Sequence, residues 1–279
     1  MKALLHILIV GIGVTSCPLM ASIVPPNNLK IPVGFSTTGV TEEDYLATID
    51  TIRQYYQPIV AKYNGELEMK NLWTDPTVNA GANRAGFIWQ VKIFGGLARH
   101  PLMTRDGLLL ATCHEIGHQL AGYPLMAISW AAMEGQSDYF ATLSCTKQVW
   151  KKDLAENAKY REIADAPIKE RCSSVYEDQD QQDLCLRALV AAKDLSNFLI
   201  ELQEEAGPIS IETPDPTVVD STDYRHPKAQ CRLDTFVAGT LCTKEFDPDV
   251  IPTVLNEAEY ACSEALHEAF ARPRCWYKP

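Results

Sequence analysis

Hydrophobic and polar positions along the chain predict a helix, then a few short strands, then several helices. A Thr-Glu-Glu-Asp sequence at Thr41 is typical of a helix start, and the helical pattern continues to about Tyr63. Short runs of β character follow at 67–69, 77–79 and 86–94, the last rich in β-branched and aromatic residues. Further helices are predicted over about 106–121, 129–152 and 180–205, then a proline- and acid-rich loop over 207–227 and two short helices that carry cysteines.

This order of elements predicts an α+β fold with a small sheet and a helical C-terminal part. A leader over 17–40, rich in Pro, Asn and Gly, precedes one domain over 41–279. The chain has 279 residues, of which 46% are hydrophobic, so it is long enough to bury a sizeable core.

The first residues have the pattern of an export signal. An apolar run ends near Thr15, and small residues before Cys17 suit cleavage there, so we predict a signal peptide over 1–16. The Val-Thr-Ser-Cys sequence also resembles a bacterial lipobox, in which the thiol of Cys17 is lipidated and anchors the chain. The alternative is plain secretion, with Cys17 as a disulfide partner or a spare thiol. We therefore predict an exported protein, either periplasmic or attached to the outer membrane as a lipoprotein, or secreted.

The net charge and the length of the apolar runs each exclude one class of protein. A net charge of −11, with 25 Lys and Arg residues and no dense basic patch, argues against a nucleic-acid partner. After the first twenty residues, no apolar run reaches the roughly 18–20 residues that span a bilayer. The predicted contact with a membrane is therefore limited to a lipid on Cys17.

Cysteine usage agrees with export. The chain has nine cysteines, and setting Cys17 aside leaves an even number. Without a CxxC pair to indicate a zinc knuckle or a redox motif, structural disulfides are the better interpretation for all the others. Their pairing stays open. Cys113 lies beside a histidine, but we expect it in a disulfide rather than acting as a nucleophile.

The most informative motif is His-Glu-Ile-Gly-His at 114–118. His114 and His118 are four residues apart, so on a helix they share one face and can bind one metal ion. Glu115 lies beside them, where it can take a proton from a metal-bound water. The chemistry points to Zn²⁺, which lowers the pKa of that water to about 7 and polarises a carbonyl group.

The next predicted helix supplies two carboxylates. A zinc site with two histidines needs a third protein ligand, and Glu134 follows His118 across a turn marked by Gly122 and Pro124. Asp138 lies one turn further on, where it can accept the second ring N–H of a zinc-bound histidine. The alternative is that both carboxylates belong to a solvated helix face.

A third motif, His-Pro-x-x-x-x-Arg, begins at His226 and ends at Arg232. The order HExxH, ExxxD, HPxxxxR over about 106–234 resembles the HtpX/CAAX-prenyl-protease family of gluzincins, here without the membrane-spanning helices of that family. The resemblance implies a thermolysin-like zincin core with zinc ligands His114, His118 and Glu134, general base Glu115, and Asp138 orienting a ligand.

The resemblance also places His226 and Arg232 over the cleft. There His226 would bond the oxyanion, although some relatives use it as an extra zinc ligand that holds the enzyme inactive. A structural role for His226 in capping a loop also stays open. His100 and His267 are more typical of packing or surface positions.

The motifs together predict an exported zinc metalloendopeptidase. Its partner would be a polypeptide substrate, added as a strand along 87–94, or else that strand belongs to the core. The competing hypothesis is a disulfide-linked envelope binding or assembly factor in which zinc is structural and His226 keeps the site closed.

Overall fold

A computed structural model describes residues 21–35, 39–127, 130–203, 205, 207–266 and 268–279. The predicted signal peptide, Cys17 and His267 lie outside these residues. Among the residues described, no helix combines the length and the apolarity needed to cross a bilayer.

The first long helix, α1 (Glu42–Lys62), begins where the sequence predicts. The hydroxyl of Thr41 accepts a hydrogen bond from the Asp44 amide at 3.1 Å, and the helix ends against Tyr63. One side of α1 is buried in the core through residues including Tyr45, Ile52 and Tyr56. The N-cap and the apolar spacing together explain why this segment is helical.

A four-stranded sheet packs beside this helix. Its strands are β1 (Ala21–Ser22), β2 (Glu66–Leu72), β3 (Ala80–Ala85) and β4 (Ile88–Phe94), in the order β1-β3-β4-β2. β4 runs parallel to β2 and antiparallel to β3. Because both edges of β4 are paired, a substrate cannot add along 87–94, and that prediction needs correction. The other interpretation, a core strand, is what the structure shows.

β1 and β2 are the outer strands of the sheet, and β1 is so short that it covers only part of the outer edge of β3. Ala21 lies opposite Ala82, and Ser22 lies opposite Gly81, in antiparallel register. Part of the predicted leader is therefore built into the sheet, and the next two residues, Ile23 and Val24, are wholly buried.

Helices make up most of the rest. They are α2 (Gly95–Ala98), α3 (Arg105–Leu120), α4 (Glu134–Phe140), α5 (Thr146–Trp150), α6 (Leu154–Asn157), α7 (Tyr160–Ile163), α8 (Ala166–Ser173), α9 (Gln179–Gln203), α10 (Ala229–Leu241) and α11 (Glu257–Tyr260). A π-helical turn over Ala141–Cys145 joins α4 to α5. The helix predicted over 129–152 thus begins later, because Ala132 forms a β-bridge with Leu125. The fold is mixed α and β, as predicted.

Helix α3 lies at the centre of the molecule. From Asp106 to Leu120 every one of its residues is buried. It packs against α1, α4, α9 and the sheet strands β3 and β4. Polar side chains on this helix are therefore placed in the core, where they need partners.

Four disulfides confirm the prediction that eight cysteines are structural. The bonds are Cys113–Cys145, Cys172–Cys185, Cys231–Cys275 and Cys242–Cys262. The first ties α3 to the π-helical turn that follows α4. Four disulfides fit a protein that is exported to an oxidising compartment.

The disulfides predict graded losses of stability. Replacing Cys113 and Cys145 by Ala frees a loop with a sequence separation of 32 and should lower the free energy of unfolding by about 4 kcal/mol. The same change at Cys172 and Cys185, with a separation of 13, should cost about 3 kcal/mol. Urea unfolding measures both. A variant as stable as the wild type would show that its bond does not form in solution.

Candidate metal centre

Helix α3 brings two histidine rings together on one face. The ring centroids of His114 and His118 are 4.6 Å apart, as expected for positions separated by one helical turn. Neither side chain has any solvent exposure. The helix is fixed at its start, where the hydroxyl of Thr104 accepts a hydrogen bond from the Gly107 amide at 3.0 Å.

The carboxylate of Glu134 reaches the same point from the first residue of α4. One of its oxygens lies 3.2 Å from His114 Nε2, and the other lies 3.6 Å from His118 Nε2. Gly117 permits this close approach of α3 and α4, since a Cβ there would lie only 2.8 Å from the Cα of Ser137. The three residues that the sequence singled out as metal ligands are thus adjacent.

Hydrogen bonds at the far side of each ring fix which nitrogen faces the carboxylate. His114 Nδ1–H donates to Asp138 Oδ1 at 2.7 Å, and His118 Nδ1–H donates to the carbonyl oxygen of Ala132 at 2.8 Å. Since a neutral imidazole carries one proton, both Nε2 atoms are left with a free lone pair. Both lone pairs lie on the side of the rings that faces the Glu134 carboxylate, where a metal ion could bind.

The atoms that converge here have no hydrogen-bond partners within the described parts of the chain. This holds for both Nε2 atoms and for both oxygens of Glu134. Ligand atoms of His114, His118 and Glu134 all lie within 4.8 Å of one another. Buried polar atoms without partners are costly, so a group of them at this spacing indicates a missing partner. Two imidazoles and a carboxylate are a donor set that can hold a metal ion.

Asp138 is held by an arginine from the other end of the sequence. Arg232 on α10 makes two hydrogen bonds to its carboxylate, both at 2.7 Å, and neither side chain is exposed. The solvated-face interpretation of Glu134 and Asp138 is therefore wrong, since both are fully buried. Arg232 does not line an open cleft. It fixes Asp138, which in turn fixes the ring of His114.

Glu115 lies beside the donor set without joining it. Its carboxyl is fully buried and makes no hydrogen bond to any described residue. Burial raises the pKa of this carboxyl to about 8, and the nearby charge of Glu134 adds to the rise. The backbone N–H of Ile23 is close enough to oppose that rise. A free carboxyl with a pKa near neutrality is suited to taking up and releasing a proton.

The imidazole rings of His114 and His118 differ in pKa. Burial lowers the pKa of His118 to about 4, so this ring is neutral. Burial acts in the same direction on His114, but the Asp138 carboxylate outweighs it and raises the pKa of that ring to about 9. A metal ion that binds His114 must therefore displace a proton.

The charges of the site favour a divalent cation. Three buried carboxylates, those of Glu115, Glu134 and Asp138, face one buried guanidinium, that of Arg232. Once the His114 ring has lost its proton to bind metal, the carboxylates of Glu134 and Asp138 face Arg232 alone, and at least one negative charge remains uncompensated in the core. Uncompensated buried charge is strongly unfavourable, and a divalent cation balances it.

His226 lies at the rim of the site. Its side chain is 21% exposed, and its Nε2 is 3.6 Å from Glu134 Oε1. The same nitrogen is 2.7 Å from the carbonyl oxygen of Ser22, to which it donates a hydrogen bond. Ser22 and Ile23 were missed by sequence reasoning, because two residues of a proline-rich leader carry no signal of such contacts. His100 packs edge-on against Phe198 instead, as predicted.

Comparisons of the chain with profiles of protein families, with curated proteins and with solved structures gave no match.

The donor set predicts which substitutions abolish metal binding. After loading with zinc, the purified wild type should hold one equivalent, and His118→Ala and Glu134→Ala should hold almost none, because each removes a donor. His100→Ala is the matched control, since His100 is also buried but lies away from the set, and it should stay fully loaded. Metal analysis by mass spectrometry measures all four proteins. Full loading of the first two variants would show that the ion binds elsewhere.

Substitution of Asp138 should weaken metal binding without removing a ligand. Asp138→Asn keeps an acceptor for His114 but leaves the guanidinium of Arg232 without its buried counter-charge. Metal affinity should fall by about 10- to 100-fold, and the free energy of unfolding by about 3–5 kcal/mol. Competition with a chelator and urea unfolding measure the two losses. Unchanged values would contradict the role assigned to the Asp138–Arg232 pair.

Proposed function

We propose that this protein is an exported zinc metalloendopeptidase that hydrolyses peptide bonds in envelope or extracellular proteins. One observation carries the proposal: the carboxyl of Glu115, which has no hydrogen-bond partner among the described residues, lies beside a buried donor set of His114, His118 and Glu134. A structural metal site would not need an additional acid–base group. The resemblance to the HtpX/CAAX-prenyl-protease gluzincins, with a thermolysin-like core, is part of the same proposal.

Zinc is the metal that suits these donors best. Two imidazoles and one carboxylate, with a fourth position for water, are typical of catalytic zinc sites. When bound, the ion would supply Lewis acidity and a water of lowered pKa. Sulfur ligands are not involved among the described residues, because every cysteine there is in a disulfide.

Four residues carry out the other steps of the proposed hydrolysis. Glu115 takes a proton from the attacking water and delivers it to the amine nitrogen of the leaving product. His226 Nε2–H, now donating to a backbone carbonyl, is placed to donate to the substrate carbonyl as its oxygen gains charge. Arg232 and Asp138 keep the ring of His114 in the tautomer that can bind metal.

The disulfides support the exported location, and a lipid on Cys17 would attach the enzyme to a membrane surface. The second candidate function is a zinc-containing binding or assembly factor whose site is closed. One observation favours it, namely that Glu115, His114 and His118 have no solvent exposure. Turnover separates the two candidates, since only a peptidase consumes substrate.

The mechanism predicts that Glu115→Gln abolishes hydrolysis, because an amide cannot shuttle the proton. Cleavage of an unfolded protein should fall by about 100-fold or more. Zinc content and the unfolding midpoint should stay close to the wild type, since Glu115 is not a ligand. Electrophoresis of the digested substrate measures the loss.

The control for this experiment is Glu43→Gln, an equal change on the exposed face of α1, which should leave cleavage unaffected. If the Glu115→Gln variant cleaves as fast as the wild type, the proposed mechanism is wrong. If neither protein cleaves an unfolded substrate, the same pair is compared with Ile23→Asp added, which displaces the buried segment bonded to His226 and Arg232. No cleavage there either favours the binding or assembly role.

A further inference from the structure

Residues 21–24 of the chain lie across the candidate site. Ala21 and Ser22 extend the sheet at its open edge by pairing antiparallel with Ala82 and Gly81 of β3. Extended peptides bind to many proteins in this way, as an added strand on a sheet edge. The segment therefore has the backbone geometry of a bound peptide, although it belongs to the same chain.

Three side chains donate hydrogen bonds to the backbone of this segment, and two of them belong to the candidate site. His226 donates to the carbonyl oxygen of Ser22 at 2.7 Å, and Arg232 donates to that of Ile23. The side-chain amide of Asn79 donates to the carbonyl oxygen of Val24 at 3.2 Å. Three successive backbone carbonyls thus accept hydrogen bonds from side chains, which fixes the position of the segment.

The peptide bond between Ser22 and Ile23 lies between two residues of the proposed mechanism. The carbonyl of Ser22 faces His226, and the N–H of Ile23 lies near the Glu115 carboxyl. These are the residues to which the proposed mechanism assigns the substrate carbonyl and the leaving amine. The bond between Ser22 and Ile23 therefore lies where a bond to be cleaved would lie.

The side chains of the segment are buried. Ile23 and Val24 have no exposure and belong to the main hydrophobic core. The same segment approaches Glu115, which has no exposure to solvent. Because His226 Nε2–H is bonded to Ser22, a substrate carbonyl can accept from it only when residues 21–24 move away.

From these contacts we propose that residues 21–24 are an internal peptide that occupies the substrate groove and keeps the enzyme latent. The groove then takes extended polypeptides as a strand on β3, with aliphatic side chains at the positions of Ile23 and Val24. This inference rests on the proposed peptidase function, whose substrate class and regulation it specifies. Activation requires residues 21–24 to leave the groove.

The test releases the segment by a point substitution in the otherwise complete mature chain. Ile23→Asp places an unpaired carboxylate at a wholly buried position and should expel the segment, while Val33→Asp, at an exposed position in the same leader, is the control. The probe is a synthetic peptide with the sequence of residues 19–26, labelled with a fluorophore. Fluorescence anisotropy measures its binding to zinc-loaded protein that also carries Glu115→Gln, so that the probe is not consumed.

We expect the apparent dissociation constant of the peptide to fall at least about ten-fold with Ile23→Asp and not with Val33→Asp, because the internal segment no longer competes. A chelator should also extract zinc faster from the Ile23→Asp protein. Ile23→Ala, which removes packing without adding a charge, should shift both measurements in the same direction and serves if Ile23→Asp does not fold.

Equal peptide affinity and equal rates of zinc extraction in folded Ile23→Asp, Ile23→Ala and control proteins would overturn the proposal. Both measurements are independent of turnover. If the released protein binds the peptide but the form with an intact Glu115 never cleaves an unfolded substrate, occupancy of the groove stands and the peptidase function fails.

Discussion

The buried ion pair between Arg232 and Asp138 is the interaction on which the centre of the molecule depends. It joins α10 to α4, and through Asp138 it fixes the ring of His114 on α3. Burying two charges is favourable only when both are well paired, so these three helices must be docked correctly before the pair stabilises the fold. Formation of the core and formation of the metal site are therefore one event.

The same pair also determines the charge balance of the site. Because Arg232 is already paired with Asp138, the neighbouring counter-charge of the Glu134 carboxylate is the protonated ring of His114. A divalent cation that displaced this proton would restore the balance. Residues 21–24 contact the same groups, because the carbonyl oxygens of Ser22 and Ile23 accept hydrogen bonds from His226 and Arg232. Charge balance and closure of the site thus draw on the same few side chains.

Much of the site could be predicted from the sequence because its parts are local. The spacing of His114 and His118 determines a shared helix face, and a short connection limits where Glu134 can lie. The helix start at Thr41 was predictable for the same reason. The even cysteine count predicted disulfides, although only the three-dimensional structure reveals which cysteines meet.

What the sequence could not predict depends on distant contacts. The strand β3 contains Ala, Gly and Asn, which have little preference for strands, so it is extended mainly because β4 pairs with it. β1 is two residues long and exists only where β3 and the candidate site bind it. For this reason the sequence predicts a peptide-binding edge along 87–94, whereas β4 lies inside the sheet.

The most direct test of the central claim is zinc K-edge X-ray absorption on stoichiometrically loaded protein. If His114, His118 and Glu134 bind the ion, its first shell consists of nitrogen and oxygen at about 2.0–2.2 Å, with the outer-shell scattering of two imidazole rings and without sulfur. A shell that contains sulfur at about 2.3 Å, or one without imidazole scattering, would contradict it.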